Sequence, residues 1–291
     1  HRESRGLGDV YKRQSFDRSF VQRRSALNLD DDYANAAYIP NAESFLEYWD
    51  EAARNYREAE YTLGRAQLNQ PYGVHPDQAF DLFYPSGKPE GLVVFVHGGY
   101  WLRFGRRDFS HLAQGATLRD WAVAIPSYPL APAASIPEIT QSIVAAITAA
   151  AGRISGPICL VGHSAGGHLV ARMGQNDVVF PSVVRDRIRK IIPISPVADL
   201  LPLLQTEMNA TLKLTATSAK AESPASQPKP DKIDVHVWVG AEERPAFLAQ
   251  AQLLADRWQA SLTIEIAKHH FNVIAGLEDP KSELMAVLLE G

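Results

Sequence analysis

The sequence contains almost no cysteine, since Cys159 is the only one among 291 residues. A single cysteine cannot form an internal disulfide, and it cannot build a metal cluster by itself. Cys159 lies in the apolar run Ile158–Val161, where we expect a buried and unreactive thiol. The sequence therefore offers no disulfide framework and no cysteine-based metal site.

Long apolar segments and an excess of positive charge are also missing. No apolar stretch approaches the ~20 residues needed to span a bilayer, and the polar, arginine-rich start lacks the apolar centre of a secretory signal. With 29 Lys and Arg against 33 Asp and Glu, the net charge is −4, which does not favour nucleic acid as a partner. We expect a cytoplasmic protein whose partner is a small molecule, without nucleic acid or membrane. A homodimer is left open.

The first fourteen residues do not read as part of a fold. The string Asp9–Gln14 looks like the translated end of a sequencing-library transposon. We therefore interpret residues 1–14 as an artefact that replaces the natural start of the chain, and we leave them out of the fold prediction.

From residue 73 onwards, short β-rich runs alternate with longer helical patterns. This alternation predicts an α/β fold with a mostly parallel central sheet flanked by helices. Several runs are continuously apolar, as expected for strands that are covered on both faces. The predicted strands are Ala79–Tyr84, Leu92–His97, Ala122–Pro126, Ile158–Gly162, Lys190–Ser195, Ile233–Gly240 and Leu262–Ala267. The predicted helices are Ala42–Leu63, Asp108–Asp120, Ile136–Ala151, Ala165–Met173, Pro245–Trp258 and Ser282–Leu289.

The chain is predicted to divide into a leading segment and one large domain. Residues 15–72 form an N-terminal helical segment in this prediction, and residues 73–291 form the α/β domain. The regular alternation stops at residues 199–230, which end in a Ser-, Ala- and Pro-rich stretch. Because loops this long are usually lids or linkers, we expect a small cap insertion over the site there.

A glycine-flanked serine joins a predicted strand to a predicted helix in the sequence Gly162-His163-Ser164-Ala165-Gly166-Gly167. A G-x-S-x-G sequence in this position is the nucleophile elbow of the α/β-hydrolase fold. The sharp turn strains the serine backbone, and the flanking glycines avoid side-chain clashes. It also exposes the serine oxygen and directs the helix N-terminus at a developing oxyanion. Ser164 is therefore the candidate nucleophile, and we expect His163 to be a packing residue.

A second loop with adjacent glycines, His97-Gly98-Gly99-Tyr100-Trp101, follows an apolar strand. A tetrahedral intermediate requires two or more N–H groups aimed at its oxygen. In this fold they come from the residue after the nucleophile and from the loop after the third strand. We expect Gly98, Gly99 and Ala165 to form this oxyanion hole.

A serine nucleophile also needs a histidine base and a carboxylate that orients the histidine. In this fold both follow the serine along the chain, the acid first. His269 and His270 come after the last predicted strand, and either could reach the serine. Glu242 and Glu243 follow the strand before it, at the carboxyl end where α/β sheets place their sites, and Asp199 is a third candidate acid.

The two loop sequences together resemble the arylformamidases, the kynurenine formamidases of the α/β-hydrolase type. The resemblance runs from about Gly73 to Pro280 and is strongest around residues 92–101 and 159–168. It implies that His97 supports the oxyanion loop by hydrogen bonding. It also implies that Tyr100 and Trp101 shape a pocket for an aromatic substrate.

The same resemblance selects among the open candidates for base and acid. The family places its base directly before a Phe, which favours His270 over His269. Its acid stands four residues before a Phe, which favours Glu243 in the stretch that ends at Phe247. Many members carry Asp at this position, so Glu243 is a departure from the family pattern, and Glu242 and Asp199 stay open as alternatives.

The resemblance implies a serine hydrolase for the formyl amide of N-formylkynurenine or a related aryl formamide, in tryptophan catabolism. A carboxylesterase for small esters is the alternative. A non-catalytic receptor is disfavoured because Ser164 and His270 are both present. A metal-dependent amidohydrolase is disfavoured because the nine histidines are scattered without H-x-H or H-x-x-x-H spacing. We expect neither a metal ion nor a cofactor.

Overall fold

An eight-stranded sheet organises the chain in the computed structural model, which describes residues 28–290. The strands are β1 Ala66–Pro71, β2 Ala79–Phe83, β3 Leu92–Val96, β4 Ala122–Pro126, β5 Ile158–His163, β6 Ile188–Ile194, β7 Asp234–Gly240 and β8 Ser261–Glu265. Their order in the sheet is β1-β2-β4-β3-β5-β6-β7-β8. The pairs β1–β2 and β2–β4 are antiparallel, and the pairs from β4–β3 to β7–β8 are parallel. The hypothesis that residues 1–14 are an artefact lies outside the described residues.

Helices cover both faces of the sheet. The α-helices are α1 Leu29–Asp32, α2 Ala42–Thr62, α3 Gln114–Thr117, α4 Ile136–Ala151, α5 Ala165–Met173, α6 Ser182–Arg185, α7 Asn209–Leu212, α8 Ala216–Glu222, α9 Pro245–Trp258 and α10 Glu283–Leu289. Short 3₁₀ segments lie at Ala36–Tyr38, Arg106–Asp108, Ser110–Ala113, Leu201–Gln205, Pro224–Ser226 and Val273–Leu277. Within residues 28–290, no helix combines the length and the apolar character that crossing a membrane requires.

Two hydrophobic layers form because side chains alternate along the buried strands. On β3, Val94 and Val96 pack into one layer with residues of α4, α5 and α9. Val93 and Phe95 point to the opposite layer, which contains residues of α2, α3 and α10. All of β3 is buried, and so is all of β5. The predicted α/β fold is confirmed, since every predicted strand is present with small changes at its ends.

The structure corrects the N-terminal part of the prediction. Strand β1 lies inside residues 15–72, which were predicted to be helical, and it pairs with β2 in the same sheet. The boundary at residue 73 is therefore wrong, because it separates two hydrogen-bonded strands. β1 is an edge strand of largely polar sequence, so it shows little of the apolar pattern that marks the inner strands.

The predicted helix Asp108–Asp120 is also shorter than expected. The structure divides it into the 3₁₀ segment Ser110–Ala113 and helix α3. Asp108 instead ends the separate 3₁₀ segment Arg106–Asp108, and its carboxylate accepts a hydrogen bond from the Gly105 N–H at 2.7 Å. A carboxylate that bonds nearby backbone N–H groups stabilises a turn in competition with a helix.

Residues 199–230 form a small insertion that is anchored to the helical layer. Glu222, at the end of α8, is buried and accepts hydrogen bonds from Thr140 on α4 (2.8 Å) and from Arg172 on α5 (3.2 Å). Its backbone carbonyl also accepts from the His168 ring at 2.7 Å. A single buried carboxylate thus joins the insertion to two helices of the main domain.

We expect Glu222→Ala to lower the free energy of unfolding by about 3 kcal/mol, because it leaves the buried Arg172 guanidinium and the Thr140 hydroxyl without this partner. Arg172 keeps its second ion pair, with Asp177 at 2.6 Å, which limits the loss. The measurement is urea denaturation followed by circular dichroism. Glu207→Ala, at an exposed position of the same insertion, is the matched control and should change the unfolding free energy by less than about 0.5 kcal/mol. Equal effects of the two variants would contradict the anchoring role.

Candidate active site

Ser164 lies on a strained turn between β5 and α5. Its backbone has φ 57° and ψ −116°, a conformation that non-glycine residues rarely adopt. The Ser164 N–H donates to the Ile194 carbonyl at 2.8 Å, which ties the turn to the neighbouring strand β6. A Cβ at Gly166 would lie 1.9 Å from the Val96 carbonyl oxygen, so only glycine fits there. The predicted elbow geometry is therefore present in the structure.

The loop after β3 runs beside this turn. A Cβ placed on Gly98 would lie 3.0 Å from the Cβ of Ser164, which shows how closely the two backbones approach. Gly99 has φ 101°, a conformation that favours glycine. Within residues 28–290, the N–H groups of Gly98, Gly99 and Ala165 have no backbone or side-chain acceptor. Free N–H groups beside a nucleophile can bind the oxygen of a tetrahedral intermediate.

The buried side chain of His97 supports this loop from the protein interior. Its ring is fully buried, lies 2.8 Å (Nδ1) from the Gly98 carbonyl oxygen, and stacks on Tyr128 with the ring centroids 4.4 Å apart. The Tyr128 hydroxyl donates to the His97 carbonyl at 2.9 Å. Burial lowers the pKa of His97 from its ordinary value of 6.5 to about 4, although the contact with the Gly98 carbonyl opposes this shift. The imidazole is therefore neutral at pH 7.

His270 and Glu243 form a direct pair at the carboxyl end of the sheet. His270 Nδ1 lies 2.6 Å from Glu243 Oε2. The other carboxylate oxygen, Oε1, accepts from the Gly240 N–H at 3.0 Å and from the Ser195 hydroxyl. Both oxygens of a buried carboxylate are thus held, so the position of the His270 ring is fixed from one side. The ring of Phe247 packs against it, with the centroids 4.3 Å apart.

The structure separates this pair from the other candidates. The Glu242 side chain is exposed, and the Asp199 carboxylate instead accepts from the Leu201 N–H at 2.9 Å. His269 Nδ1 faces the N–H of Phe271 at 3.2 Å, and its ring packs edge-on against Phe45. The geometry therefore pairs Glu243 with His270, and the side chains of the other candidates are exposed or bonded to other groups.

His163 is buried between the Ser164 turn and His270. Its ring centroid lies 4.6 Å from that of His270. Burial lowers the pKa of His163 well below its ordinary value of 6.5, and the neighbouring His270 lowers it further. A neutral, buried ring in this position fills space, in line with the packing role that the sequence analysis predicts.

Ser164 and His270 line the same small cavity, which has a volume of about 90 Å³. Aromatic side chains form much of its wall: Trp49, Tyr100, Phe104, Phe109 and Phe271. A larger groove of about 790 Å³ lies between α2 and α3, but it contains neither Ser164 nor His270. The small cavity is therefore the candidate site.

The resemblance implies that both Tyr100 and Trp101 shape the substrate pocket, but in the structure only Tyr100 lines the cavity. Tyr100 lines the cavity, and its hydroxyl donates to the Tyr33 carbonyl at 2.6 Å. Trp101 has no exposed surface and packs edge-on against His168 in the core, with the ring centroids 5.2 Å apart. The pocket assignment of Trp101 is therefore wrong. The two adjacent side chains diverge at the turn, and only the first reaches the cavity.

Residues 29–38, near the beginning of the described chain, form a cover over the site. Asn35 and Ala36 line the cavity together with Leu46 and Trp49 of α2. None of the described lining residues comes from 199–230, so the expectation that this insertion covers the site is wrong. The insertion supports the cover from outside, because the Glu207 N–H donates to the Asp30 carboxylate at 2.7 Å. No motif in the sequence marks these lining residues, apart from the apolar face of α2.

The covering residues are fixed to the main domain by polar contacts. The Arg244 guanidinium donates to the Asp31 carboxylate at 2.9 Å and lies 3.6 Å from the centroid of the Tyr38 ring. Gln250 on α9 donates to the Tyr33 hydroxyl at 2.7 Å.

In the part of the chain that the structure describes, no three His, Cys, Asp or Glu side chains are grouped as metal ligands.

Fold and sequence together define the class of protein. The chain belongs to the alpha/beta hydrolase family, whose model matches residues 93–282. The kynurenine formamidase of Salmo salar is 29% identical over 245 residues, covering 78% of this chain and 82% of that protein. The kynurenine formamidase of Danio rerio is 28% identical over 255 residues, covering 82% and 86%. The predicted resemblance to this family is therefore confirmed.

A solved structure from Silicibacter sp. TM1040 is similar over nearly its whole length. It superposes with a TM-score of 0.87 and 52% sequence identity, covering 90% of this chain and 99% of that one. The Silicibacter protein carries the provisional name of a thioesterase. The predicted α/β-hydrolase fold is thus confirmed by the family match and by a solved structure.

We expect acid to destabilise the protein partly through His97. A histidine whose pKa is lower when folded than when unfolded contributes full stability above about pH 6.5 and loses it as the pH falls towards 4. The loss for this ring is on the order of 3 kcal/mol. His97→Gln cannot ionise, so its unfolding free energy should fall less than that of the wild type between pH 7 and pH 4. Urea denaturation at both pH values tests this, and equal losses would contradict it.

Proposed function

We propose that this chain is a serine hydrolase in which Ser164, His270 and Glu243 form the catalytic triad. The observation that carries the proposal is the 2.6 Å contact between His270 and Glu243 beside a cavity that His270 shares with the strained Ser164 turn. A serine hydroxyl is a weak nucleophile until a base removes its proton, and this arrangement supplies the base. The order serine, acid, histidine along the chain is the one expected for this fold.

The reaction begins when the Ser164 hydroxyl attacks a carbonyl carbon and His270 Nε2 takes its proton. Glu243 accepts the His270 Nδ1–H, which leaves Nε2 free as the base and stabilises the imidazolium that forms. The N–H groups of Gly98, Gly99 and Ala165 bind the oxyanion. His270 then donates the proton to the leaving atom, and the carbonyl–leaving-group bond breaks. Water, deprotonated by His270, cleaves the acyl-serine and releases the acid.

The substrate that we propose is a formyl amide of an aryl amine, such as N-formylkynurenine, which would yield formate and the free amine. Two observations and one chemical argument support it. Two fish kynurenine formamidases match most of the chain. The cavity of about 90 Å³ suits a one-carbon acyl group, and its wall is rich in aromatic rings. An aryl amine is also a better leaving group than an alkyl amine.

The second candidate function is hydrolysis of a small ester or thioester. It is favoured by the Silicibacter neighbour, which is 52% identical and provisionally named a thioesterase. The same triad serves all three carbonyl classes, since amides, esters and thioesters share the tetrahedral intermediate. Catalytic efficiency on matched substrates therefore decides between them.

A substrate panel on the purified protein tests the proposed substrate. We expect kcat/KM for N-formylkynurenine to exceed those for p-nitrophenyl acetate and for an acetyl thioester. An undetectable rate on N-formylkynurenine, with turnover of either other substrate, would reject the formamidase proposal and keep the serine hydrolase.

Substitutions of the triad test the mechanism. Glu243→Gln should lower kcat by about three to four orders of magnitude, because the amide no longer holds the correct His270 tautomer. Ser164→Ala should lower kcat by about six orders and abolish labelling by a fluorophosphonate probe. Glu242→Gln, an identical change at the exposed neighbouring position, is the matched control and should keep kcat within about twofold. Unchanged activity in Ser164→Ala would exclude the nucleophile that we assign.

A further inference from the structure

Asn35 brings an unused hydrogen-bond acceptor to the candidate site. Its side chain is buried and lines the cavity that contains Ser164. The amide nitrogen Nδ2 donates to the Tyr100 hydroxyl at 2.8 Å. The amide oxygen Oδ1 is buried and has no hydrogen-bond partner among the described residues. A buried acceptor without a partner is costly, so its retention calls for a physical reason.

The hydrogen-bond pattern fixes which way the Asn35 amide points. The Tyr100 hydroxyl has one proton, which it donates to the Tyr33 carbonyl at 2.6 Å. Towards Asn35 that hydroxyl can therefore only accept, so the group facing it must be the NH₂. The Oδ1 atom is thereby turned away from Tyr100 and left free.

Asn35 also shares two cavities with His270. A second cavity of about 170 Å³ adjoins the first, and it is lined by Asn35, His270 and Glu243 among others. Asn35 and His270 are the two residues that line both cavities. In the proposed mechanism the leaving atom receives its proton from His270. A leaving group at that point therefore occupies a cavity that Asn35 also lines.

We infer that Asn35 Oδ1 accepts a hydrogen bond from the N–H of the leaving group, so that the site selects secondary amides over esters and thioesters. This inference rests on the proposed serine hydrolase function and specifies the substrate class of the same site. Esters and thioesters have oxygen or sulfur in place of the N–H, and they would leave Oδ1 without a partner.

The hydrogen bond would contribute most in the transition state. As His270 protonates the leaving nitrogen, positive charge develops there, and the remaining N–H becomes a stronger donor. Hydrogen bonds to charged groups are stronger than those between neutral groups. An interaction that strengthens during the reaction raises kcat rather than lowering KM alone. The effect of Asn35 should therefore appear mainly in kcat, and only for amides.

The test compares Asn35→Ala with the wild type on an aryl formamide, formanilide or N-formylkynurenine, and on p-nitrophenyl acetate. We expect kcat for the formamide to fall by about tenfold to a hundredfold, with the ester changed by less than about threefold. Tyr100→Phe removes the hydroxyl that orients the Asn35 amide, so it should also slow the formamide more than the ester, by a smaller factor than Asn35→Ala does. Asn55→Ala, an exposed position on α2, is the matched control for the substitution itself.

The outcomes separate the inference from the function on which it rests. Equal losses on formamide and ester in Asn35→Ala would overturn the inference, because Asn35 would then only hold the cover in place. If the wild type hydrolyses esters but no formamide, the proposed substrate and this inference are both rejected, and the serine hydrolase function is retained. Thermal unfolding of each variant shows whether the fold is retained.

Discussion

The strained backbone at Ser164 is the constraint on which the site depends. A positive φ at a serine persists only when its surroundings hold it there. Here the holding groups are backbone atoms: the Ser164 N–H bonds to strand β6, and Gly166 lies against the Val96 carbonyl. Because both neighbours belong to the inner parallel strands, the buried centre of the sheet imposes the geometry of the turn. The free N–H groups near Ser164 follow from the same arrangement.

Features carried by short stretches of sequence could be predicted. The inner strands β3, β4 and β5 are buried on both faces, so their apolar composition alone locates them. The elbow could be recognised because three glycines and a serine must meet steric demands within six residues. Local reasoning also placed His270 and the glutamates at the correct edge of the sheet. It left Glu242, Glu243 and Asp199 as possible partners for the histidine. The resemblance selected Glu243, which contacts His270 in the structure.

Features decided by distant contacts could not be predicted. The polar edge strand β1 is specified by its pairing with β2 rather than by its own composition. Trp101 and Tyr100 are adjacent and chemically alike, and only the surrounding packing sends one to the core and the other to the cavity. Ser195, which holds the second oxygen of Glu243, is an ordinary residue after a strand until the fold brings it there. Asn35 reaches Tyr100 across 65 positions and carries no motif.

Asn35 and His270 line the same cavity although they lie far apart in the sequence, and this has a consequence for folding. The contact of Arg244 with Asp31 spans 213 positions, and that of Gln250 with Tyr33 spans 217. Contacts between such distant positions form late, because closing a long loop costs entropy before any contact repays it. A ribosome-bound chain that stops before His270 would already contain the glycine-flanked Ser164, but it would lack the histidine that lines the same cavity. The covered cavity would thus be complete only after residues 31–33 have met residues 244–250.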